Sequence, residues 1–207
     1  INSEKVVELV EFGMDDVERL VTREQDSLKS FSQTQQNKLT LGYLSEIVSK
    51  SYDKSSSYTK IRELSDDEIL EVLSRIDSTI LPDEIKEKVV GILNSVRTEH
   101  KHSYSAQVKI VCHYFMQLMA FNQDITAAEQ HIRNFQEKCN NYLISNQIIY
   151  NSQDFTCQLL NRVDDQFDAE NSIRFQNLSS GEKQIVSLFS HLYLDKDRSL
   201  FVFIDEP

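Results

Sequence analysis

Only four glycines and two prolines punctuate the 207 residues of this chain. Glycine and proline are the residues that end helices and shape tight turns, so their scarcity leaves long uninterrupted elements and favours helices over strand-and-turn architectures. The expected fold class is therefore mainly α with a small α/β part. A hydrophobic content of 40% is somewhat below the globular average, which suits one or two domains with modest cores. The net charge of -11 argues against a nucleic-acid surface spread over the whole chain, because neutralising phosphates needs clustered Lys and Arg. A local basic patch survives around Arg97, Lys101 and Lys109, with His100 and His102 between them. Cys112, Cys139 and Cys157 are odd in number and too widely spaced for a CxxC metal pair or a disulfide framework, so they are expected to be reduced thiols. No apolar run approaches the roughly 18 residues that suggest a membrane span, and no charged-then-apolar leader opens the chain. A soluble, cytoplasmic protein without a membrane partner is expected. Both ends look cut, at Ile1 and at Pro207 just after FVFIDE, so a piece of a longer polypeptide is expected.

Apolar spacing organises the chain. Val6, Val10, Val17, Leu20 and Val21 fall on a helical stripe, with Gly13 as a break or cap. Residues 25–38, rich in Ser and Gln, read as a solvated helix or an interdomain stalk. SKSYDKSSSYTK, five of its twelve residues serine, reads as a flexible loop. ELSDDEILEVLSRI restarts a helix with Ser65 as N-cap and Glu68 completing a capping box, and Pro82 precedes another helix over 83–100. Val108, Val111, Phe115 and Leu118 step by threes and fours; after a local break at 122–126, Ala128, Ile132, Phe135, Cys139 and Tyr142 do the same. That period fits a coiled-coil hairpin, and equally the core of a helical domain. Beyond Ile144, NQIIYNS, DFTCQLL and SIRFQNL are short and β-capable. QIVSLFSHLYL returns to helix, with Ile185, Leu188, Phe189 and Leu192 on one face, and LFVFIDEP is a strand apolar enough to be buried on both sides. Two spans are expected: a helical arm over 1–145, and an α/β part over 146–207.

Two stretches carry chemistry. The terminal strand delivers Asp205 and Glu206 to a sheet edge, where open α/β folds bind ligands. Asp205 suits Mg²⁺, a hard cation that takes oxygen ligands, and Glu206 suits the base that orients and deprotonates water. A strand that simply reaches solvent would end the same way. In LSSGEKQ, Ser179 and Ser180 supply hydroxyl donors, and Gly181 lets a ligand approach the backbone where a β-carbon would block it. The helix beginning near Glu182 aims free N–H groups at an anion there. A serine-capped helix with Glu182 and Lys183 merely exposed is the plainer alternative.

LSSGEKQ resembles the signature motif of ABC-type ATPases, in the variant typical of the structural-maintenance-of-chromosomes (SMC) and RecF-like branch, and LFVFIDEP resembles their Walker B strand. The resemblance covers only the C-terminal end of the chain. It implies that Ser179 and Gly181, within the segment Ser179, Ser180, Gly181, Glu182, Lys183 and Gln184, contact the γ-phosphate of ATP bound to a partner head. It further implies that Asp205 serves Mg²⁺ and that Glu206 is the catalytic base. Ser180 stands where many members carry a glycine. More loosely, EFGMDDVERLV, a helical insertion and FQNLSSGEKQIVSLFSHLYL are similar to ATPase subunits of Septu and retron-associated anti-phage systems. On that resemblance the chain is a helical arm or bundle attached to the C-terminal lobe of a P-loop ABC-type head. Its implied activity is hydrolysis of ATP between two dimerised heads, in anti-phage defence or in DNA repair and maintenance.

The GxxxxGK[ST] loop is absent, since Gly13, Gly42, Gly91 and Gly181 provide no glycine pair five apart. The chain alone is thus expected to hydrolyse no ATP. His191 is a helix-face histidine, and no Ser-His-Asp or Cys-His set is legible. The competing expectation is a helical interaction module, residues 65–144 recruiting an effector such as a nuclease, with no ATPase activity of its own. DNA or RNA would be engaged through the intact assembly.

Overall fold

The computed structural model describes residues 13–54, 57–76, 78–79, 81–99, 103–163 and 166–196. These residues are mainly helical, with one small antiparallel sheet. In chain order they form α1 (Met14–Val48), α2 (Ser51–Lys54), α3 (Ser57–Ile61), α4 (Asp66–Ser74), α5 (Asp83–Thr98) and α6 (Ala106–Asn140). The strands β1 (Asn146–Asn151), β2 (Thr156–Val163) and β3 (Gln166–Ile173) follow, then a 3₁₀ turn Phe175–Asn177 and α7 (Ser180–Tyr193). The chain divides into two compact units, one of residues 1–30 with 128–207, the other of residues 31–127.

The first unit is built around Val17, Val21, Ile132, Phe135, Leu159 and Val186, all buried. Its sheet has the order β1-β2-β3, with Asn146 opposite Asn161 and Asn151 opposite Thr156 in the first hairpin. A register shift between Leu160 and Arg162 interrupts the second hairpin. Among the described residues of this unit, the carboxylates of Glu24 and Glu129 are buried. Glu129, at 0% exposure, accepts from Arg133 Nη2 at 2.8 Å and from the Tyr150 hydroxyl at 3.1 Å. Glu24 occupies a position of the α1 stripe and receives Lys196 Nζ at 2.7 Å. Burying a carboxylate is costly without such partners.

The second unit closes over Ile61, Ile69, Leu93, Val96, Cys112 and Phe115. Ser65 caps α4 as its sequence demands: its hydroxyl accepts from Glu68 N while the Glu68 carboxylate accepts from Ser65 N. Pro82 immediately precedes α5.

Three expectations are corrected. The break at 122–126 does not exist, because α6 is continuous. Buried positions 112, 115, 119, 122, 125, 129, 132, 135 and 139 step by threes and fours straight through it. Asn122 and Thr126 stay helical with polar partners, Glu71 at 3.5 Å and Arg75 at 3.1 Å. The serine-rich stretch 49–60 is not simply a loop. It contains α2 and α3, entered through Lys50 in the left-handed region (φ 56°), with Ser57 and Ile61 buried and Lys109 paired to Asp53 at 2.7 Å. The third strand, Gln166–Ile173, begins before SIRFQNL and keeps only its first two residues, because hairpin pairing with β2 holds a polar segment extended. Phe175 and Leu178 are instead buried from the turn that follows. Helix α7 forms as expected, with Ile185, Leu188 and Phe189 partly buried and Phe189 packed against the core. Val186, Ser187, Ser190 and His191 are buried, while Leu192 is 43% exposed. The expected strand at 200–206 lies outside the described residues.

All three cysteines are free and buried. Burial pushes the Cys112 thiol up to about 11 and Cys157 to about 12; Cys139 is raised by burial and, secondarily, by neighbouring Cys157. Thiols so held are poor nucleophiles at neutral pH. Truncating Phe135, at 0% exposure, to Ala is expected to lower unfolding stability by about 3–5 kcal/mol. Leu70→Ala, at a residue 56% exposed, should stay within about 0.5 kcal/mol, both read from urea melts.

Candidate functional site at the start of α7

The stretch LSSGEKQ folds as a helix start. Leu178 is buried and pins the approach, Ser179 is the N-cap in extended conformation (φ -63°, ψ 163°), and Ser180, Gly181 and Glu182 form the first turn. The cap is reciprocal. Glu182 N donates to Ser179 Oγ at 3.4 Å, while Glu182 Oε2 accepts from Ser179 N at 3.0 Å and from Ser179 Oγ at 2.8 Å. Lys183 N then donates to the Ser179 carbonyl at 2.9 Å, closing the first helical turn. Ser179, Ser180, Gly181 and Gln184 are exposed, and Glu182 and Lys183 are half-buried.

A residue that sequence reasoning missed completes the arrangement. Asn146, the first residue of β1, donates from Nδ2 to Glu182 Oε1 at 3.1 Å. Both oxygens of Glu182 are thus held, one by the cap and one by the sheet. Burial alone, the largest single influence, would raise the Glu182 pKa. The hydrogen bonds from the Ser179 backbone and hydroxyl and from Asn146 together outweigh it and leave the carboxyl below its ordinary value. No local pattern in the sequence ties residue 146 to residue 182; only the hairpin's placement beside α7 does.

A second capping box, Ser65 with Glu68, has the same bonds, so the cap by itself does not distinguish a site. The first turns differ in charge. After its cap α4 carries Asp66, Asp67 and Glu68, which repel an anion, whereas α7 carries Ser180, Gly181 and one engaged carboxylate, with Lys183 next. Gly181 has no positive φ, and a β-carbon there would meet nothing within 4 Å. Packing among the described residues does not demand glycine at this place. The bare backbone is open to solvent at a helix end whose first N–H groups have no intrahelical partner.

At the other end of α7, Arg23 Nη2 donates to the Leu194 carbonyl at 3.3 Å and pairs with Asp195 at 3.3 Å, next to the Glu24–Lys196 pair. Ahead of α7, Gln176 Nε2 donates to Asp15 at 2.9 Å. Helix α1 therefore fastens the segment on both sides of α7. His191 is buried within α7, its Nδ1 3.8 Å from Asp195. Asp205 and Glu206 lie outside the described residues, so the expected pairing of a helix tip with two carboxylates concerns one described partner only.

In the second unit the fold also lines up Ser57, His113 and Glu46, with Ser57 Oγ 3.4 Å from His113 Nδ1 and Glu46 Oε2 2.6 Å from His113 Nε2. The sequence did not reveal this line, since its members are far apart in the chain. With Ser57 only 7% exposed and Gln117 also donating to Glu46, the line fastens α1, α3 and α6 within that unit. Among the described residues no group of three or more His, Cys, Asp or Glu is disposed to hold a metal ion. No described helix is long and apolar enough to cross a membrane. Comparison with protein-family models, curated proteins and solved structures finds no match for this chain.

Because the folded Glu182 pKa is depressed, its bonds add stability that is present above the unfolded pKa and lost as pH falls through the folded value. Asn146→Ala should move the Glu182 titration upward in a carboxyl-resolved NMR experiment. Glu182→Gln should remove this group's share of the acid sensitivity of thermal unfolding.

Proposed function

We propose that the chain is part of an ABC-type ATPase of the SMC and RecF-like branch, binding ATP between two heads. The observation that carries this reading is the start of α7: LSSGEKQ forms a capped helix end whose glycine is open to solvent and unneeded by the fold. A γ-phosphate presented by a partner head would meet the N–H groups of Ser180 and Gly181, the positive end of the α7 dipole and the Ser179 hydroxyl. Lys183 and Gln184, next along the helix, would flank the phosphate. Glu182 serves as the brace that holds Ser179 in place.

In the intact protein Asp205 would hold Mg²⁺ and Glu206 would act as base toward the attacking water, with ATP joining the heads and hydrolysis releasing them. The biological setting we favour is anti-phage defence of the Septu or retron-associated kind, or DNA repair and maintenance. DNA or RNA and an effector such as a nuclease would be engaged by the complete assembly.

Three substitutions in the full-length protein test this. Glu206→Gln is expected to slow ATP turnover at least about 100-fold, the lower range of general-base contributions, and to leave ATP-bound head dimers trapped in size-exclusion runs. Unchanged hydrolysis would remove Glu206 from the mechanism. Ser179→Arg should abolish nucleotide-dependent pairing while sparing ATP binding. Gly181→Ala separates ligand from fold: with a non-positive φ and room for the methyl group it should leave stability unchanged or raise it by about 0.4–1 kcal/mol. The same change should weaken pairing, and full pairing in this variant would count against backbone approach by phosphate.

A further inference from the structure

Strand β1 stands at one end of the sheet order, and among the described residues side chains of α6 take the place of a further strand beside it. The Asn140 amide behaves as strand backbone would: its Nδ2 donates to the Ile148 carbonyl at 2.8 Å and its Oδ1 accepts from Ile148 N at 2.7 Å. One turn earlier Gln136 Oε1 accepts from Tyr150 N at 3.1 Å. Two turns before that, buried Glu129 accepts from the Tyr150 hydroxyl at 3.1 Å, and Arg133 Cζ lies 5.6 Å from the centre of the Tyr150 ring. Positions 129, 133, 136 and 140 step four, three and four, which is one face of a helix. All of these residues belong to the first unit.

Asn146 lies two residues before Ile148, on the same face of β1, and bonds Glu182 Oε1 at 3.1 Å. The other oxygen of Glu182 holds the Ser179 N–H and hydroxyl at 3.0 and 2.8 Å. A hydrogen bond is lost by about 3.6 Å, so a shift of β1 by roughly half an ångström away from α7 breaks the Asn146 contact. A register slip of one residue would carry Asn146 about 3.3 Å along the strand, well out of reach.

We propose that α6 and the start of α7 are mechanically linked through β1: Asn140 and Gln136 fix the strand, Asn146 passes its position to Glu182, and Glu182 passes it to the Ser179 cap. The element with two states is the Asn146–Glu182 bond, made or broken, and Asn146 is a positioning residue for Ser179. Because α6 also supplies Cys112, Phe115 and Met119 to the second core, turning or sliding this helix is felt at the α7 cap. The link is separate from the ATPase reading: it is measured without nucleotide, so its failure leaves that reading standing.

The test reads the Glu182 carboxyl of this chain in NMR titrations. Burial raises the Glu182 pKa, and the bonds from Ser179 and Asn146 more than reverse that rise, so loss of the Asn146 bond is visible as an upward shift. Asn140→Ala, with far-ultraviolet dichroism unaltered, should move the titration upward. Gln136→Ala, which removes a single acceptor and disturbs packing less, should move it the same way by a smaller amount. Gln130→Ala, on the exposed side of α6, should leave it in place. The deciding variant is the double one: where Asn146→Ala has already shifted the titration, adding Asn140→Ala should shift it no further. A titration unmoved in both Asn140→Ala and Gln136→Ala, an equal shift in Gln130→Ala, or shifts that add in the double variant would each overturn the proposal.

Discussion

An uninterrupted 35-residue helix, α6, is the constraint on which both cores depend. Its buried row supplies Cys112, Phe115 and Met119 to one core and Ile132, Phe135 and Cys139 to the other. A helix can do this only if its apolar positions keep the 3.6-residue period over the full length, and no Gly or Pro falls within it to end it. Where the row would otherwise lapse, Asn122 and Ile125 keep the phase. The amide is retained there because Glu71 lies within reach.

Buried charge is the second theme. Glu24, Glu129 and Asp195 are almost wholly enclosed, and each is matched to a cation: Lys196, Arg133 and Arg23. Removing one member of such a pair leaves an unsolvated charge, which is why these contacts define the packing more narrowly than their modest net energies suggest. Glu24 and Lys196 are 172 residues apart in sequence, so this pair closes the first unit from its beginning to the end of α7.

The beginning of α7 repeats the structural device found at α4 in a different chemical setting. A capping box satisfies two N–H groups and directs the helix end outward; the same geometry at α4 is filled with acidic residues and has no use for an anion. At α7 the second turn position is glycine and the one carboxylate is engaged by Ser179 and Asn146. What distinguishes the two helix starts is therefore the charge and bulk of the first turn rather than its hydrogen bonding.

Much of the helical layout was legible locally. A capping box placed α4, Pro82 placed α5, a stripe placed α6, and LSSGEKQ marked the start of α7, because such signals act within a few residues. The serine-rich stretch misled because composition reports solubility, not the burial of a single Ile61 against α5 and α6. The acidic strand β3, the Asn146 brace and the Ser57–His113–Glu46 line could not be read, since each exists only through partners distant in the chain. Sequence by itself settled the preponderance of helix and the helix starts, both consequences of backbone chemistry at short range. Tertiary structure alone decided which faces are buried and which carboxylates find cations, because those outcomes depend on long-range packing that no local pattern encodes.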